Sequence, residues 1–309
     1  MKSKKKRWLV VALCLTVYAS LALASGSSNS DSTKKVVSSN DSGSEVDDEN
    51  QSEEISSSSD SSSVPTIEEQ VLVDSNGLKI TAKEYSRDNI WGDGIKLLIE
   101  NASESDYTIG CDALIVNDYM ITDLFASEIA AGKNANETMY LSSTELEAAG
   151  IDSVGKVEMY FYAFDSDYNY VFQNEYAEIQ TSEYANMDTT PNDSGIELYN
   201  SDGIKIVGKT VDENSFWGTA ILLYIENSSG KNVGISVDDM SINGFMMSPF
   251  FSTTVFDGKK AIDDITIFSS DLEDNGIDSI EEVELKFHIF DADTYSTIVD
   301  SDPITFSAK

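Results

Sequence analysis

The feature that most constrains the fold is an internal repeat with a period of 126 residues. Residues 77–167 superpose on residues 203–293 without a gap, with 33 identities over 91 positions. The repeats of solenoid proteins are roughly 20–50 residues long, whereas a unit of this length can enclose a core of its own. The sequence therefore predicts two tandem copies of one domain, and the fold of the first copy must also suit the second.

Each copy has the residue alternation of an antiparallel β protein. Val157, Met159 and Phe161 alternate with Glu and Tyr residues, and residues 283–289 repeat the pattern. A period of two places one set inside and the other toward solvent. Roughly seven or eight short strands per copy indicate an all-β fold of two tandem Ig-like antiparallel β-sandwiches. The other strands of copy 1 are expected near residues 78–85, 95–101, 107–116, 124–131 and 136–141.

Local signals add one hairpin and one short helix to each copy. Asn243-Gly244 is typical of a type I′ hairpin turn, and Asn117-Asp118 stands at the equivalent place in copy 1. Thr144-x-x-Glu147 and Ser270-x-x-Glu273 have the spacing of helix capping boxes. A glycine follows three residues later in both copies, as expected at the end of a helix.

The start of the chain has the features of an export signal. Residues 1–24 combine five basic residues with an apolar stretch, and Ala22 and Ala24 bracket Leu23 just before Ser25, which is the pattern of a signal-peptide cleavage site. An uncleaved N-terminal membrane anchor is the alternative, since an apolar stretch of about 17 residues is at the short limit of a span. Cleavage would remove five positive charges and change the net charge from -35 to -40. Either interpretation predicts an extracellular protein, secreted or held at the cell surface.

The rest of the chain divides into a spacer and the two copies. Residues 25–70 are dominated by Ser, Asp, Glu and Asn, so this segment is predicted to be a disordered linker that cannot bury enough surface to fold. Copy 1 is assigned to residues 71–180 and copy 2 to residues 198–309. The interdomain linker, residues 181–197, contains Pro191 and many polar residues, which favours a hinge.

Charge and composition exclude several functional classes. A net charge of -35 opposes binding to nucleic acid, because like charges repel. Two Cys and one His cannot build a Cys/His zinc site or a disulfide framework, and a Ser/His/Asp triad would have to use His288 alone. Cys111 is expected to be a buried hydrophobic residue and His288 a surface residue of a strand. We therefore predict that the protein is not an enzyme and that it contacts membranes only through its N-terminal segment.

The motifs shared by the two copies resemble a known family. They are Gly-x-Lys-Ile from Gly77 and Gly203, Trp-Gly from Trp91 and Trp217, the repeated Ile-x-Leu-x-Ile-Glu-Asn, and the repeated Phe-Asp-x-Asp. Together they resemble an Ig-like domain of secreted and surface lipoproteins of Gram-positive bacteria, over residues 72–180 and 198–307. The resemblance implies the fold and an extracellular location, but no activity, because the family is functionally uncharacterised. The sequence departs from it at Cys14, which Leu13 precedes where a lipobox requires a small residue.

One candidate metal site is suggested by an acidic turn. Asp165-x-Asp167-x-Asn169 copies the first three ligand positions of an EF-hand loop, and Asp291 and Asp293 recur in copy 2. The Gly and Glu that the loop needs further on are missing. Two interpretations follow, a weak calcium site or a tight turn in which Asp and Asn bind backbone groups. No other cofactor is expected.

Two candidate ligand-binding groups are apolar. Trp91 and Trp217 could stack on a ligand or could plug the end of each core. Phe245, Met247 and Phe250 belong to the most apolar run outside residues 1–24, which could be an adaptable binding surface or a pair of strands that feeds the core.

The function predicted from these features is binding or display of an extracellular protein or glycan by a non-catalytic protein. The alternative is a calcium-binding or hydrolytic extracellular protein that uses its acidic surface. A binding module should carry a continuous apolar or aromatic strip on one sheet, whereas an enzyme should carry a pocket with converging polar groups.

Overall fold

A computed structural model of the chain describes residues 64–88, 92–215 and 218–307. The signal residues Ala22, Ala24 and Ser25, nearly all of the predicted linker, and both Trp91 and Trp217 lie outside the described residues. The part from Asp60 to Lys309 clusters as one compact unit that contains both copies. Strands account for most of it, which confirms the all-β class.

Copy 1 folds as two packed sheets. Strands β1, β2, β3 and β7 form one sheet in that order, and β6, β4, β8 and β9 form the other, with β5 also paired to β4. All pairs within the copy are antiparallel. The strands are β1 (Gln70–Ser75), β2 (Leu78–Asp88), β3 (Gly92–Asn101), β4 (Tyr107–Val116), β5 (Tyr119–Ile121), β6 (Ala126–Ile129), β7 (Asn134–Tyr140), β8 (Lys156–Asp165) and β9 (Tyr170–Gln180).

Copy 2 repeats this β-sandwich. Strands β10, β11, β12 and β16 lie in one sheet, and β13 pairs with β14, β15 and β17 in the other, where β17 also pairs with β18 and β19. The strands are β10 (Ile196–Ser201), β11 (Ile204–Ser215), β12 (Gly218–Asn227), β13 (Val233–Ile242), β14 (Phe245–Met246), β15 (Ser252–Val255), β16 (Lys260–Phe268), β17 (Glu282–Asp291), β18 (Thr297–Asp300) and β19 (Ile304–Ser307).

The predicted period of two is confirmed on β17. Val283, Leu285, Phe287 and Ile289 are fully buried, and the residues between them are half-buried or exposed. On β8 the same pattern has one exception. Glu158, expected to face solvent, is buried because it lies where the two copies meet.

The repeated asparagine that ends β3 and β12 has a structural role. Asn101 is buried and its Nδ2 donates to the carbonyl oxygens of Ser105 and Ile129, at 2.8 and 3.1 Å. Its Oδ1 accepts from the backbone N–H of Ser103 at 3.0 Å. Asn227 makes the equivalent bonds in copy 2. The side chain thus satisfies backbone groups that would otherwise be buried without partners, which explains why both copies need an amide here.

The hairpin prediction and the glycine at the end of each helix are confirmed, whereas the predicted capping boxes are wrong. Asn243 and Gly244 have φ of 50° and 83°, as a type I′ turn requires, and they join the paired residues Ile242 and Phe245. Helix α1 (Ser143–Ala149) begins two residues earlier than the predicted box, with Ser142 Oγ accepting from a backbone N–H. Helix α2 (Ser269–Asp274) has no side-chain cap. Two serines in a row at each helix start made the register ambiguous in the sequence.

The two copies share a continuous sheet. Strand β5 of copy 1 pairs in parallel with β16 of copy 2, with Tyr119 opposite Lys260 and Met120 opposite Ala261. This pair joins the second sheet of copy 1 to the first sheet of copy 2 in one nine-stranded sheet. Ile115 and Met120 of copy 1 are buried in the hydrophobic core of copy 2. The hinge expected from residues 181–197 is therefore wrong for this structure, because pairing and burial hold the copies together.

The linker itself is bound to both copies. The backbone N–H of Asn192 donates to Tyr119 Oη at 3.0 Å, and Asn192 Nδ2 donates to the carbonyl of Ala148 at 3.1 Å. Lys209 Nζ of copy 2 donates to the Asn192 carbonyl at 2.7 Å. Polar residues that suggested a mobile segment are used as hydrogen-bonding groups across the junction.

A group of four charges closes the junction on one side. Lys259 Nζ lies 3.0 Å from both Asp118 Oδ1 and Glu158 Oε2, and Lys156 Nζ lies 2.9 Å from Asp118. Although burial opposes it, hydrogen bonds from Lys156 and Lys259 hold the pKa of Asp118 below its usual value. The buried Glu158 is thus compensated by lysines from both copies, as a buried carboxylate requires.

Helices play a small part in this fold. Helix α1 has seven residues, α2 has six, and a short 3-10 helix covers Tyr184–Asn186. Within residues 64–307, none of the described helices is long and apolar enough to cross a membrane.

Candidate binding surface

The outer face of copy 1 carries a strip of aromatic side chains along β8 and β9. On β8, three successive outer-face positions, residues 160, 162 and 164, are aromatic. Strand β9 adds two more aromatic residues, and the connecting hairpin adds one. Tyr168, Tyr170 and Tyr176 are 54%, 47% and 49% exposed, while the ring of Phe164 is mostly covered by its neighbours. We call this surface the aromatic strip; its members are Tyr160, Tyr162, Phe164, Tyr168, Tyr170 and Tyr176.

Three rings of the strip have nearly parallel planes. The centroids of Tyr162 and Phe164 are 6.1 Å apart with planes 9° apart, and those of Phe164 and Tyr168 are 5.5 Å and 25° apart. Tyr170 meets Tyr162 and Phe164 edge-on, at 78° and 79°. Edge contacts of this kind are favourable between aromatic rings and restrict their movement. The result is a tiled surface of rings in place of separate, mobile side chains.

A glycine in the adjacent strand allows one ring to lie flat on the sheet. Gly110 on β4 is the cross-strand partner of Tyr162. A Cβ atom on Gly110 would lie 2.3 Å from the Tyr162 ring, so any larger residue would push the ring away. Glycine inside a strand weakens the strand unless something approaches it closely, and here an aromatic side chain does so.

Copy 2 carries a shorter version of the same arrangement. His288, Phe290 and Tyr295 have ring centroids 5.5 and 6.0 Å apart, with planes at 28° and 19°. Phe290 lies on Gly234, its cross-strand partner, where a Cβ atom would be 2.2 Å from the ring. His288, expected on the strand surface, is half-buried there, and its Nδ1 is 2.5 Å from Asp300 Oδ1. Two sequence-distant glycines thus support equivalent ring surfaces.

The surroundings of the aromatic strip are strongly acidic. Strands β4, β6, β8 and β9 contain six Asp or Glu residues and one lysine, Lys156, which is held at the junction. Glu128 lies opposite Thr108, which in turn lies opposite Phe164, so a carboxylate borders the ring surface. On the other side Tyr176 Oη donates to Glu178 Oε2 at 2.8 Å. The rings are therefore flanked by negative charge on both sides.

The proposed calcium ligands form hairpin turns. Asp165 Oδ1 accepts from the backbone N–H groups of Asp167 and Asn169, both at 2.9 Å, and these bonds, led by that from Asn169, lower the pKa of Asp165. In copy 2, Asp291 Oδ1 accepts from the N–H groups of Asp293 and Thr294. Within the described residues, no group of three or more Asp, Glu, His or Cys side chains is arranged to hold a metal ion.

A lysine side chain also binds the turn carboxylate of copy 2. Lys231 Nζ lies 3.1 Å from Asp291 Oδ2. The N–H of Thr294 and this lysine together lower the pKa of Asp291 to about 2. Both carboxylates that aligned with the first EF-hand ligand are thus engaged by their own turns.

The apolar run at residues 245–251 is divided between the surface and the core. Phe245 and Phe250 are 47% and 59% exposed. Met247 and Phe251 are buried in the core of copy 2, so they are not accessible to a ligand. Cys111, as predicted, is buried, and its Sγ donates to the carbonyl of Ala113.

The carboxyl groups with raised pKa values lie near the junction and the neighbouring loop. Burial raises the pKa of Glu145 to about 8 and that of Asp263 to about 6. Burial also raises the pKa of Asp123 to about 7, and its Oδ1 accepts from the Phe125 N–H at 2.8 Å. Strongly perturbed carboxyl groups in a cleft are typical of catalytic sites. Here Glu145 Oε2 accepts from the backbone N–H of Thr122 at 2.7 Å, which is a structural bond.

A surface depression of copy 1 is separate from these groups. It is lined by Lys83, Glu84, Lys96 and residues of β7. Lys96 and Glu84 form an ion pair across it. The depression lies on the sheet that does not carry the aromatic strip, so rings, depression and perturbed carboxyl groups are three different places.

The aromatic strip was missed by the sequence analysis although its signal was present. Tyr160 and Tyr162 were assigned to solvent because they alternate with buried residues, and their aromatic character at that face was not weighed. Three more tyrosines follow within residues 168–176. Aromatic residues at three successive outer-face positions of a strand, 160, 162 and 164, are unusual enough to have predicted the surface.

Comparisons with known proteins give no family. No protein-family model and no curated protein matches the sequence. Among solved structures, the chain is similar to a SafA pilin of Salmonella enterica in complex with the SafB chaperone, at 9% identity and a TM-score of 0.21, over 69% of this chain and 88% of that chain. It is also similar to the CsuC-CsuE chaperone-tip adhesion subunit complex of Acinetobacter baumannii, at 10% identity and 0.20, over 69% and 90%.

A third solved structure is an enzyme. A β-glucuronidase of Bacteroides uniformis is 12% identical with a TM-score of 0.21, over 75% of this chain but only 26% of the enzyme. The chain thus spans about a quarter of that protein. Similarities of this size are too slight to assign a family, a partner or an activity.

Proposed function

We propose that the chain is an exported, non-catalytic binding protein whose aromatic strip binds an extracellular protein or glycan. The N-terminal pattern supports export, either with cleavage or with an uncleaved anchor. The acidic charge opposes nucleic acid as a partner, and membrane contact is assigned to the N-terminal segment alone. A relationship to Ig-like domains of Gram-positive surface lipoproteins is part of this proposal and rests on the shared motifs.

The exposed aromatic strip is the observation that carries the proposal. Tyr and Phe are the residues that binding surfaces use most, because one rigid side chain supplies a large contact area and loses little entropy. Tyr168, Tyr170 and Tyr176 expose about half of their surface. The strand alternation would be satisfied equally well by Thr, Lys or Gln at these positions. A role in binding therefore explains the aromatic residues at these positions better than a contribution to the stability of the fold does.

The alternative, a hydrolytic or calcium-binding protein, is supported less well. General acid–base catalysis needs a titrating carboxyl group within reach of a bound substrate. Burial accounts for the raised pKa values of Glu145, Asp263 and Asp123, and the carboxyl groups of Glu145 and Asp123 already accept backbone hydrogen bonds. Asp165 and Asp291, the candidate calcium ligands, already accept hydrogen bonds from their own turns.

The proposal is tested by binding measurements on the full chain. Immobilised polysaccharides and extracellular proteins would be presented to the wild type and to a Tyr168→Ala, Tyr176→Ala variant by biolayer interferometry. Tyr184→Ala is the matched control, because Tyr184 is 42% exposed and lies on the 3-10 helix, away from the strip. We expect the strip variant to lose binding to at least one polymer and the control to keep it. Equal binding by all three proteins would refute the strip as the binding surface.

A further inference from the structure

The junction between the copies shows how this molecule binds a cation beside a tyrosine. Lys260 Nζ lies 5.2 Å from the centroid of the Tyr119 ring, within the distance at which a cation is attracted to an aromatic face. The adjacent Lys259 lies between the carboxylates of Asp118 and Glu158. Two consecutive lysines at the start of β16, one just before the strand and one in it, thus contact a ring and two carboxylates of the other copy.

The aromatic strip continues the same pattern outward from the junction. One face of β8 carries, in order, Glu158, Tyr160, Tyr162 and Phe164. The rings of Tyr160 and of Phe256 in copy 2 meet edge-on, with centroids 5.2 Å apart. The strip therefore begins next to the lysines of the junction. Lys156, the only cation in the four strands of this sheet within copy 1, is already paired with Asp118 and Glu158. Beyond Lys156, strands β4, β6, β8 and β9 contain carboxylates and aromatic residues but no further lysine or arginine.

From this continuity we propose that the aromatic strip binds an extended basic polypeptide segment, with lysine or arginine side chains over the rings. This inference rests on the proposed function, since it names the ligand of the same surface. Guanidinium and ammonium groups are attracted to ring faces, and the flanking Glu128, Asp167 and Glu178 would bind the same charges. The net charge of -35 would speed the encounter with a positive partner.

Copy 2 would contribute a second, weaker contact for a long segment. The rings of Phe290 and Tyr295 flank a turn that contains the exposed Asp293, while Asp291 is already paired with Lys231. Because the two copies are joined by a shared sheet, both surfaces are held on one body. A ligand that reaches both would bind more tightly than either contact alone allows.

The test is a titration of the full chain with a nine-residue arginine peptide, measured by isothermal titration calorimetry. The strip variant is Tyr162→Leu with Tyr168→Leu, which keeps the net charge and an apolar side chain. We expect its dissociation constant to rise about tenfold, because two cation–aromatic contacts are lost. Tyr162→Phe with Tyr168→Phe keeps both ring faces and should bind as the wild type does. A Tyr184→Leu variant should also be unaffected.

A second pair of variants separates local charge from total charge. Asp167→Asn with Glu178→Gln should weaken binding, whereas Glu273→Gln with Asp274→Asn on α2 changes the net charge equally and should not. Circular dichroism confirms that each variant is folded.

The outcomes separate the two proposals. Binding of the arginine peptide that is the same in every variant would show non-specific attraction and overturn the inference. If a neutral chitin hexasaccharide binds in a manner that depends on Tyr162 and Tyr168 and the peptide does not, the inference fails while the proposed function stands. If neither probe depends on the strip, the inference is overturned, and an equal result in the polymer panel would overturn the proposed function as well.

Discussion

Replacement of Glu145 by Gln should stabilise the protein at neutral pH, although it removes an ionisable group that accepts a hydrogen bond. Glu145 lies on α1 of copy 1 and faces Asp263 and Asp264 on β16 of copy 2. Burial, followed by the charge of Asp263, raises its pKa from 4.5 to about 8. The opposing effect is the bond from the Thr122 N–H, which Gln can still accept through its Oε1.

The sign of the effect follows from proton binding. Between pH 4.5 and 8 the folded state holds a proton on Glu145 that the unfolded chain releases, so the free energy of unfolding falls as pH rises through this window. At pH 7 the difference of 2.5 pH units corresponds to about 3 kcal/mol, at about 1.4 kcal/mol per unit. Asp263 and Asp123, with pKa values raised from 3.8 to about 6 and about 7, act in the same direction over narrower windows.

The measurement is urea unfolding of the full chain at pH 4.5, 7 and 8.5. We expect the Glu145→Gln variant to match the wild type at pH 4.5 and to exceed it by about 3 kcal/mol at pH 7. Asp271→Asn is the control, because it occupies the equivalent position in copy 2, where no second domain covers it. A variant that is less stable than the wild type at pH 7, or that keeps the same slope with pH, would refute the assignment of a buried, protonated Glu145.

Three further predictions test the junction, the ring surface and the exposed run. Lys259→Ala should lower the free energy of unfolding by about 1–3 kcal/mol in urea titrations, because a buried carboxylate loses a partner, whereas the equivalent and exposed Lys133→Ala should not. Gly110→Ala should cost about 1–3 kcal/mol in a thermal melt, because the added Cβ meets the tyrosine ring, while Gly208→Ala, whose Cβ would make an ordinary 3.4 Å contact, should be tolerated. Phe245→Ser should change the free energy of unfolding by no more than about 0.5 kcal/mol, and a larger loss would show that this exposed ring has a structural role.

The architecture within each copy was largely predictable from the sequence. The alternation around Phe161 and Phe287, the turn at Asn243-Gly244 and the gap-free repeat led to two β-sandwiches. Strand β1 was missed, and strands β5 and β9 were indicated only by the turns that precede them. The three residues of β5 are too few for a period, and the outer residues of β9 are interrupted by two irregularities in its pairing with β8. Short or irregular strands depend on neighbours that a linear pattern does not contain.

The candidate site was predictable in part, and the junction was not. The solvent side of β8 followed from its alternation, but the flat placement of Tyr162 depends on Gly110, some 50 residues earlier in the chain. Glu158 was predicted to face solvent because the alternation within one strand does not show that a second domain covers its outer face. Residues 181–197 look like a hinge for the same reason, since Asn192 is polar in sequence and a hydrogen-bonded bridge in the fold.

Comparison of the two copies shows that the junction is a feature of this pair. Ala113 and Ile115 of copy 1 are buried against the core of copy 2. The residues 126 positions later are Asp239, which is exposed, and Ser241, which is half-buried. Copy 2 therefore lacks the apolar face with which copy 1 binds its neighbour.

The opposite surfaces differ in the same way. Ile262 on β16 is buried at the junction, and its counterpart on β7 of copy 1 is the exposed Asn136. The faces that meet at the junction are thus apolar, and the equivalent faces on the far side of each copy are polar. Repeat proteins end in the same way, with terminal units whose outer face is polar. Divergence after the duplication has closed the pair, so the described part of the chain is a two-domain body and does not present the ends of a longer array. The ring surfaces of both copies are consequently carried on one body, because β5 and β16 join the copies in a shared sheet.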